Sequence, residues 1–173
     1  MPVRSARSLG LIVAVAFALT ASAAASAEPL PKPKGEVVLT IGGNISNTNE
    51  GEVAQLDGKM LEALGTVKFK SQTPWYEHPI EFEGVPMQAL MDYVGAQGTE
   101  VAVIAFNDYR STVPMEDFAR FETILAMKRD GQPMSLRDKG PLWLVYPYDS
   151  DPELDTDKYY SRSVWQIKRI DVQ

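Results

Sequence analysis

The side chains that most often do chemistry occur in this chain in small, separate sets. His78 is the single histidine, and without a cysteine or a second histidine beside it a zinc site is not expected. Ser161 and Ser163 could serve a hydrolase with His78, but the Gly-x-Ser-x-Gly turn of such enzymes is missing. Glu81 and Glu83 alternate with apolar residues, which predicts one solvated strand face rather than an acid–base pair.

Aspartates are concentrated near the C-terminus, while cysteine is missing altogether. The aspartates are Asp149, Asp151, Asp155 and Asp157. Their charge is that of a calcium loop, but the glycine and the terminal glutamate of an EF-hand are missing, so calcium is not favoured. Without cysteine the chain has no disulfide, thiolate ligand or lipoprotein anchor. Its stability must come from its core, for which 45% hydrophobic residues suffice.

Residues 1–27 have the pattern of a secretory signal peptide. Arg4 and Arg7 precede an apolar run, and Ala25-Ser26-Ala27 forms a small-residue cleavage site. The apolar run is shorter than the ~20 residues of a membrane span, although an uncleaved anchor is the alternative. The two arginines are not adjacent, so the general secretory route is expected rather than the twin-arginine route. The pattern predicts a periplasmic or secreted protein.

The rest of the chain predicts one acidic domain. Residues 28–35 are rich in proline and predict an extended linker, and residues 36–173 have the size of a single domain. Loss of Arg4 and Arg7 with the signal would take the net charge from −6 to −8. Such a charge argues against nucleic acid and against an anionic membrane surface as partners.

Short strands and short helices alternate along this domain. Strands are predicted at Val37–Ile41, Val67–Ser71, Ile80–Phe82, Val101–Phe106, Arg110–Val113, Ile124–Met127, Leu142–Tyr146 and Ser163–Val172, the last of which should close the sheet. One helix should be capped by Asp57 and run to Leu64, and a second should follow Val85-Pro86 and stop at Gly95. Pro114 should begin a third helix, and Asp149–Asp157 should be a loop. The pattern predicts a mixed α+β domain.

Several stretches carry a resemblance to a known family. They are Phe82–Met87, Asn107–Tyr109 with Val113-Pro114, Ile124–Ala126 with Asp130–Met134, Lys139–Pro147 and Arg162–Ile167. Their order and spacing resemble the molybdopterin-binding domain of the sulfite oxidase family. The resemblance implies that family's fold, a mixed, barrel-like β-sheet core with short helices. The chain is also similar to short, secreted, cysteine-free members that bind a metal-free pterin and act as regulators.

The departures from the family pattern concern the metal. The family's cysteine-bearing segment has its counterpart here in Ser71–Trp75, which contains no sulfur. Trp143 stands where the enzymes often have arginine. Molybdenum ligation and oxygen-atom transfer are therefore not expected. The alternative is a molybdopterin-dependent oxidoreductase whose metal is held by the oxygen of Ser71 or Thr73, which are poor ligands at ordinary pKa.

A pterin pocket would need an aromatic face, a carboxylate for the 2-amino and N3 hydrogens, and donors for O4 and N5. The residues that the resemblance implies for it are Trp75, Asn107, Asp108, Tyr109, Tyr148, Asp149, Arg162 and Ser163. Arg162 and Ser163 match the family's cofactor-contacting Lys-Ser pair. We expect Arg162, Asp149 and the tyrosines to converge on one hollow.

Each of these assignments has a structural alternative. Trp75 could plug the end of the core, and Asn107-Asp108 could only form a turn. Arg162 could pair with the acidic loop on the surface. Trp143 and Trp165 alternate within apolar strands and are expected in the core.

The function that these expectations favour is that of a periplasmic, non-catalytic protein that binds a pterin or molybdopterin-like ligand without metal. Its partner would be the outer domain of a membrane receptor, with no nucleic acid bound and no membrane insertion after signal cleavage. The alternatives are the oxidoreductase with a non-cysteine metal site and an interaction protein with a vestigial pocket.

Overall fold

The structure, a computed structural model, describes residues 29–173. The signal peptide predicted for residues 1–27 lies outside this range. Within it, no helix has the length and apolarity to cross a membrane.

Two five-stranded sheets form the framework. The first contains β1 (Val37–Gly43), β2 (Ala54–Asp57), β5 (Glu100–Ala105), β6 (Arg110–Pro114) and β10 (Ile167–Val172), in the order β2-β1-β10-β5-β6. Its pairings are antiparallel except that of β1 with β10, which is parallel. The C-terminal strand β10 therefore lies at the centre of this sheet. The apolar run 101–105 is buried on both faces, as its continuous hydrophobicity predicts.

The second sheet is antiparallel. It contains β3 (Val67–Ser71), β4 (Ile80–Pro86), β7 (Ile124–Arg129), β8 (Gln132–Pro133) and β9 (Trp143–Val145). The order is β3-β4-β7, and both β8 and β9 pair with the remaining edge of β7. Asp130 and Gly131 both have positive φ in the turn between β7 and β8, as their sequence predicts for a tight hairpin.

Four short helices complete the domain: α1 (Gly58–Ala63), α2 (Met87–Tyr93), α3 (Glu116–Arg120) and α4 (Asp157–Arg162). Asp57 caps α1 by accepting a hydrogen bond from the backbone N–H of Met60. Gly95 follows α2 with a φ of +60°, which a glycine adopts at little cost. Three 3₁₀ turns lie at Leu136–Asp138, Tyr148–Ser150 and Pro152–Leu154.

The core lies between the sheets and contains large aromatic residues. Trp143 is fully buried, and the rings of Trp75 and Phe82 each pack edge-on against it with centroids 5.3 Å away. The predicted α+β class is therefore confirmed, and so is the core position of Trp143. The two described sheets remain separate and do not close into a barrel.

Three local predictions were wrong. Pro114 ends β6 instead of beginning a helix, and α3 starts two residues later at Glu116. The segment 149–157 contains two 3₁₀ turns and leads into α4. This helix was not predicted because the many aspartates of the segment indicated a loop. The last strand begins at Ile167 rather than Ser163, because 163–166 turns toward the second sheet.

That turning segment joins the two sheets. The backbone N–H of Leu144 in β9 donates to the carbonyl of Val164 at 2.9 Å, and Trp143 and Trp165 form an isolated bridge. The N–H of Phe106, just after β5, donates to the carbonyl of Gln166 at 2.9 Å. The segment thus contacts both sheets and forms one wall of the site described below.

The proline-rich segment before β1 lies along the domain. Leu30 packs against the core, and its N–H donates to the carbonyl of Thr48 at 3.0 Å. The N–H groups of Lys34 and Gly35 both donate to Oδ2 of Asp57 at 2.8 Å. Residues 29–35 form neither helix nor strand, and these contacts bind the segment to the surface of the domain.

Candidate ligand-binding site

An aromatic cavity of about 460 Å³ opens where the two sheets are joined. We call it the aromatic hollow. It is lined by Trp75, Ala105, Asn107, Tyr109, Asp157, Tyr160, Ser161, Ser163, Val164 and Trp165. Its volume lies in the range of small-molecule pockets.

Four chain segments supply this lining. Trp75 comes from the loop between β3 and β4, and Asn107 and Tyr109 come from the turn between β5 and β6. Helix α4 supplies three side chains, and the joining segment 163–166 supplies three more. The last two segments are consecutive, but the loop with Trp75, the turn after β5 and α4 are far apart in sequence, so the hollow exists only in the folded domain.

Trp75 is both a packing residue and a lining residue. Its ring meets those of Trp165 and Tyr160 edge-on, with centroids 5.5 and 5.7 Å away, in addition to its contact with Trp143. Such edge-to-face pairs add about 0.5–1.5 kcal/mol each beyond area burial. Trp75 is only half-buried, so part of its ring remains available to a ligand.

The turn after β5 brings Asn107 and Tyr109 to the hollow but directs Asp108 away from it. Asp108 has a φ of +64°, and Oδ1 of Asn107 accepts from the N–H of Tyr109 at 3.1 Å. The Tyr109 hydroxyl donates to the carbonyl of Ser161 at 3.2 Å. The Asp108 carboxylate is 84% exposed and pairs with Lys168 at 2.7 Å, which lowers the pKa of Asp108. Asp108 does not line the hollow.

Tyr148 and Ser163 contact each other at the base of the site. The Tyr148 hydroxyl and Ser163 Oγ share a short hydrogen bond, and Ser163 Oγ also donates to the carbonyl of Tyr159 at 2.8 Å. Burial raises the pKa of Tyr148 well above its ordinary value. Ser163 lines the hollow, whereas Tyr148 lines a neighbouring cavity.

Asp149 belongs to a neighbouring cavity of about 490 Å³. Its Oδ2 accepts from the N–H of Gln72 at 2.8 Å. Tyr160 lines both cavities, so Asp149 and the aromatic hollow lie on opposite sides of the Tyr160 side chain. Burial, with a hydrogen bond to Asp155 as a second cause, raises the pKa of Tyr160 to about 12.

Arg162 is directed away from both cavities. Its Nη1 lies 2.7 Å from Oδ2 of Asp117 in α3. The structure therefore does not bring Arg162, Asp149 and the tyrosines onto one hollow. The convergence expected from the sequence is replaced by a smaller group: Trp75, Asn107, Tyr109 and Ser163.

Sequence reasoning missed six of the ten lining residues. Three of them lie on one helix, α4, and the others are Ala105, Val164 and Trp165; the α4 residues are Asp157, Tyr160 and Ser161. The α4 residues were missed because the acidic segment before them suggested a loop. Thr156 is the N-cap residue of α4, and a threonine at this place, followed by Asp157 in the first turn, is the sequence signal that could have placed the helix. Trp165 was assigned to a buried strand, but it lies in the joining segment and is half-buried.

The charge of the hollow is set by Asp157. It is the only carboxylate among the lining residues, and neither lysine nor arginine lines the cavity. Lys139 lies outside the lining, with its Nζ 4.0 Å from the centroid of the Trp165 ring. Burial lowers the pKa of Lys139. The lining therefore combines flat aromatic surfaces with one anionic acceptor.

A comparison with known families identifies the class of protein. A family model described as the oxidoreductase molybdopterin binding domain matches residues 37–150. The match covers more than half of the chain, and the chain belongs to this family. The matched range includes Trp75, Asn107 and Tyr109, while α4 and the joining segment lie C-terminal to it. A search of curated proteins finds no significant match.

The family binds molybdopterin in general, so the fit of this chain to a metal can be tested. The sequence has no cysteine and therefore no thiolate. Ser71 and Thr73, whose oxygens were the alternative metal ligands, are buried and already hydrogen-bonded to backbone groups. In residues 29–173 no three side chains of His, Asp or Glu gather as a metal site. The described residues do not fit a molybdenum centre, whereas the aromatic hollow suits a flat organic ring.

Proposed function

We propose that this protein binds a pterin-like heterocycle in the aromatic hollow, without metal and without catalysing a reaction. The observation that carries the proposal is the pairing of stacking surfaces with one carboxylate in a cavity of about 460 Å³. A flat bicyclic ring can stack on Trp75 or Trp165. Asp157 can accept from its 2-amino and N3 hydrogens.

Hydrogen-bonding groups for the rest of the ring are also within the lining. The side-chain amide of Asn107 can donate to O4 of a pterin. The hydroxyl of Ser161 donates to the carbonyl of Lys158 at 2.8 Å, and its oxygen can accept from the N5 hydrogen of a reduced pterin. Both side chains are exposed at the mouth of the cavity. Membership in a molybdopterin-binding family supports the choice of a pterin over other flat rings.

The proposed role is that of a ligand-responsive regulator in the periplasm, acting on the external domain of a membrane receptor. Three of the lining residues lie on α4, a helix of six residues, so a bound ligand would contact this helix directly and favour one position of it. A ligand that favours one arrangement of α4 shifts the population of the domain toward it. The external domain of the receptor would bind the protein with α4 in that arrangement more tightly than without it.

The test is a thermal-shift series on the protein purified from its native compartment, after release of any bound ligand, with oxidised and reduced pterins. A ligand at 100 times its Kd stabilises the folded protein by ~2.7 kcal/mol, which raises Tm measurably. Metal analysis of the same preparation is the second arm. The absence of a shift with every pterin, or stoichiometric molybdenum in the native preparation, would refute the proposal.

A further inference from the structure

Strand β3 is the edge of the second sheet. It pairs with β4 on one side, and among the described residues no strand pairs with its other side. A groove of about 670 Å³ lies along β3, and Phe118, Ala119 and Glu122 line it opposite the strand. An open strand edge next to a groove offers its backbone N–H and C=O groups to another extended chain.

Charges alternate across the exposed face of this sheet. Lys128 of β7 and Lys68 of β3 both lie 3.0 Å from the carboxylate of Glu83 in β4. Glu83 is directly opposite Lys68 and next to Lys128 in the strand register. From β7 through β4 to β3 the charges are therefore positive, negative and positive. On a strand added next to β3, an acidic residue would continue this alternation.

The next residues of β3 extend this pattern along the strand. Lys70 is exposed and lies opposite Glu81, and within the described residues it has no ion-pair partner. Phe69, between the two lysines, faces the other way and packs against Phe82 with ring centroids 6.1 Å apart. A complementary strand would therefore alternate acidic, apolar and acidic residues opposite Lys68, Phe69 and Lys70.

We propose that this groove binds an extended segment of a partner protein, added to β3 as a sixth strand with acidic and apolar residues in alternation. The acidic side chains pair with Lys68 and Lys70, and the apolar one packs beside Phe69. The proposal does not depend on what the aromatic hollow binds. β3 does continue into the loop that carries Trp75, so a docked strand and the hollow would share one stretch of backbone.

The test is an NMR titration of the isotope-labelled full chain with the peptide acetyl-Gly-Glu-Val-Glu-Val-Glu-Gly-amide up to millimolar concentration. We expect shifts centred on the amides of Lys68 and Lys70. The same peptide with lysine in place of glutamate should bind at least about tenfold more weakly. Of two peptides N-methylated at alternate positions, one should lose binding and the other keep it, since only one set of amides faces the strand.

Matched variants complete the test. Lys70→Glu should weaken binding about tenfold. Lys34→Glu, the same charge change at an exposed lysine before β1, should leave binding unchanged. Shifts elsewhere or none at all, equal binding of the lysine peptide, or equal effects of the two variants would overturn the proposal. Self-association of the chain that Lys70→Glu abolishes would also overturn it, because the occupant would then be a second copy.

Discussion

Arg162 in α4 holds Asp117 in α3 through an ion pair of 2.7 Å. The two side chains are only 17% and 4% exposed, and the hydroxyl of Tyr146 donates to the same Oδ2 of Asp117 at 2.8 Å. The residue for which the resemblance implied ligand contact thus holds in place the helix that carries Asp157, Tyr160 and Ser161. Arg162 is a positioning residue for the hollow.

Breaking this pair should destabilise the domain strongly. Arg162→Met leaves the buried Asp117 carboxylate with only Tyr146, and losing one partner of a buried pair costs about 3–5 kcal/mol. Urea unfolding measures the change. Arg120→Met is the matched control, because the Arg120–Glu153 pair is 55% and 39% exposed and should contribute no more than ~1 kcal/mol. Equal losses in the two variants would contradict the buried role of Arg162.

The carboxylate of Asp157 should matter for ligand affinity and little for folding. Asp157→Asn removes the anionic acceptor from the hollow, so we expect the affinity for a bound pterin to fall about tenfold. Quenching of tryptophan fluorescence reports binding, since Trp75 and Trp165 line the cavity. Glu116→Gln, which changes an exposed acidic residue in the first turn of α3, should leave the affinity unchanged. A pterin that binds both variants equally would show that Asp157 does not contact it.

The elements that could be predicted were those with local signals. Each of these signals determines the backbone conformation of a few neighbouring residues. They are Asp57 before an apolar helical pattern, Gly95 after another such pattern, and Asp130-Gly131 between two strands. The hollow could not be predicted in the same way, because its members meet through the joining of the two sheets. Arg162 shows the limit most clearly: its sequence position matched the family pattern, but its direction depends on Asp117, which is 45 residues away.

Asp57 links two parts of the chain, and its stabilising effect should depend on pH. Its Oδ1 accepts from the N–H of Met60, and its Oδ2 accepts from those of Lys34 and Gly35. These bonds, the one from Gly35 foremost, lower the pKa of Asp57. The stabilisation is therefore fully present above the unfolded carboxyl pKa of about 3.9 and is lost as the pH falls through the lower folded value.

Asp57→Asn tests this arrangement. The one side-chain oxygen of asparagine can accept either from the N–H groups of Lys34 and Gly35 or from that of Met60. The NH₂ group of the asparagine would then face the remaining backbone donors. We expect a lower urea midpoint at pH 7 and faster hydrogen exchange in residues 29–35. The difference in midpoint from the wild type should shrink as the pH falls below about 4. Asp92→Asn, at an exposed position of α2, should show neither effect. A difference that stays constant down to pH 2 would contradict the role of the carboxylate.

Gly84 shows why one motif residue in β4 must be a glycine. The register between β4 and β7 shifts at Glu83/Gly84, and a Cβ on Gly84 would overlap the carbonyl oxygen of Leu125 and the Cα of Ala126. Its φ is not in the left-handed region, so the requirement comes from the close approach of two backbones. Gly84→Ala should therefore destabilise the domain by about 1–3 kcal/mol in urea unfolding.

Gly58→Ala is the control for this effect. At Gly58, the first residue of α1, the nearest atom to an added Cβ is Cε of Met127, 4.0 Å away. Alanine fits there and restricts the unfolded chain, so this variant should be more stable by about 0.4–1 kcal/mol. Opposite signs for the two variants are expected because only Gly84 lies against another backbone. A Gly84→Ala protein as stable as Gly58→Ala would mean that β4 and β7 can separate at the bulge without cost.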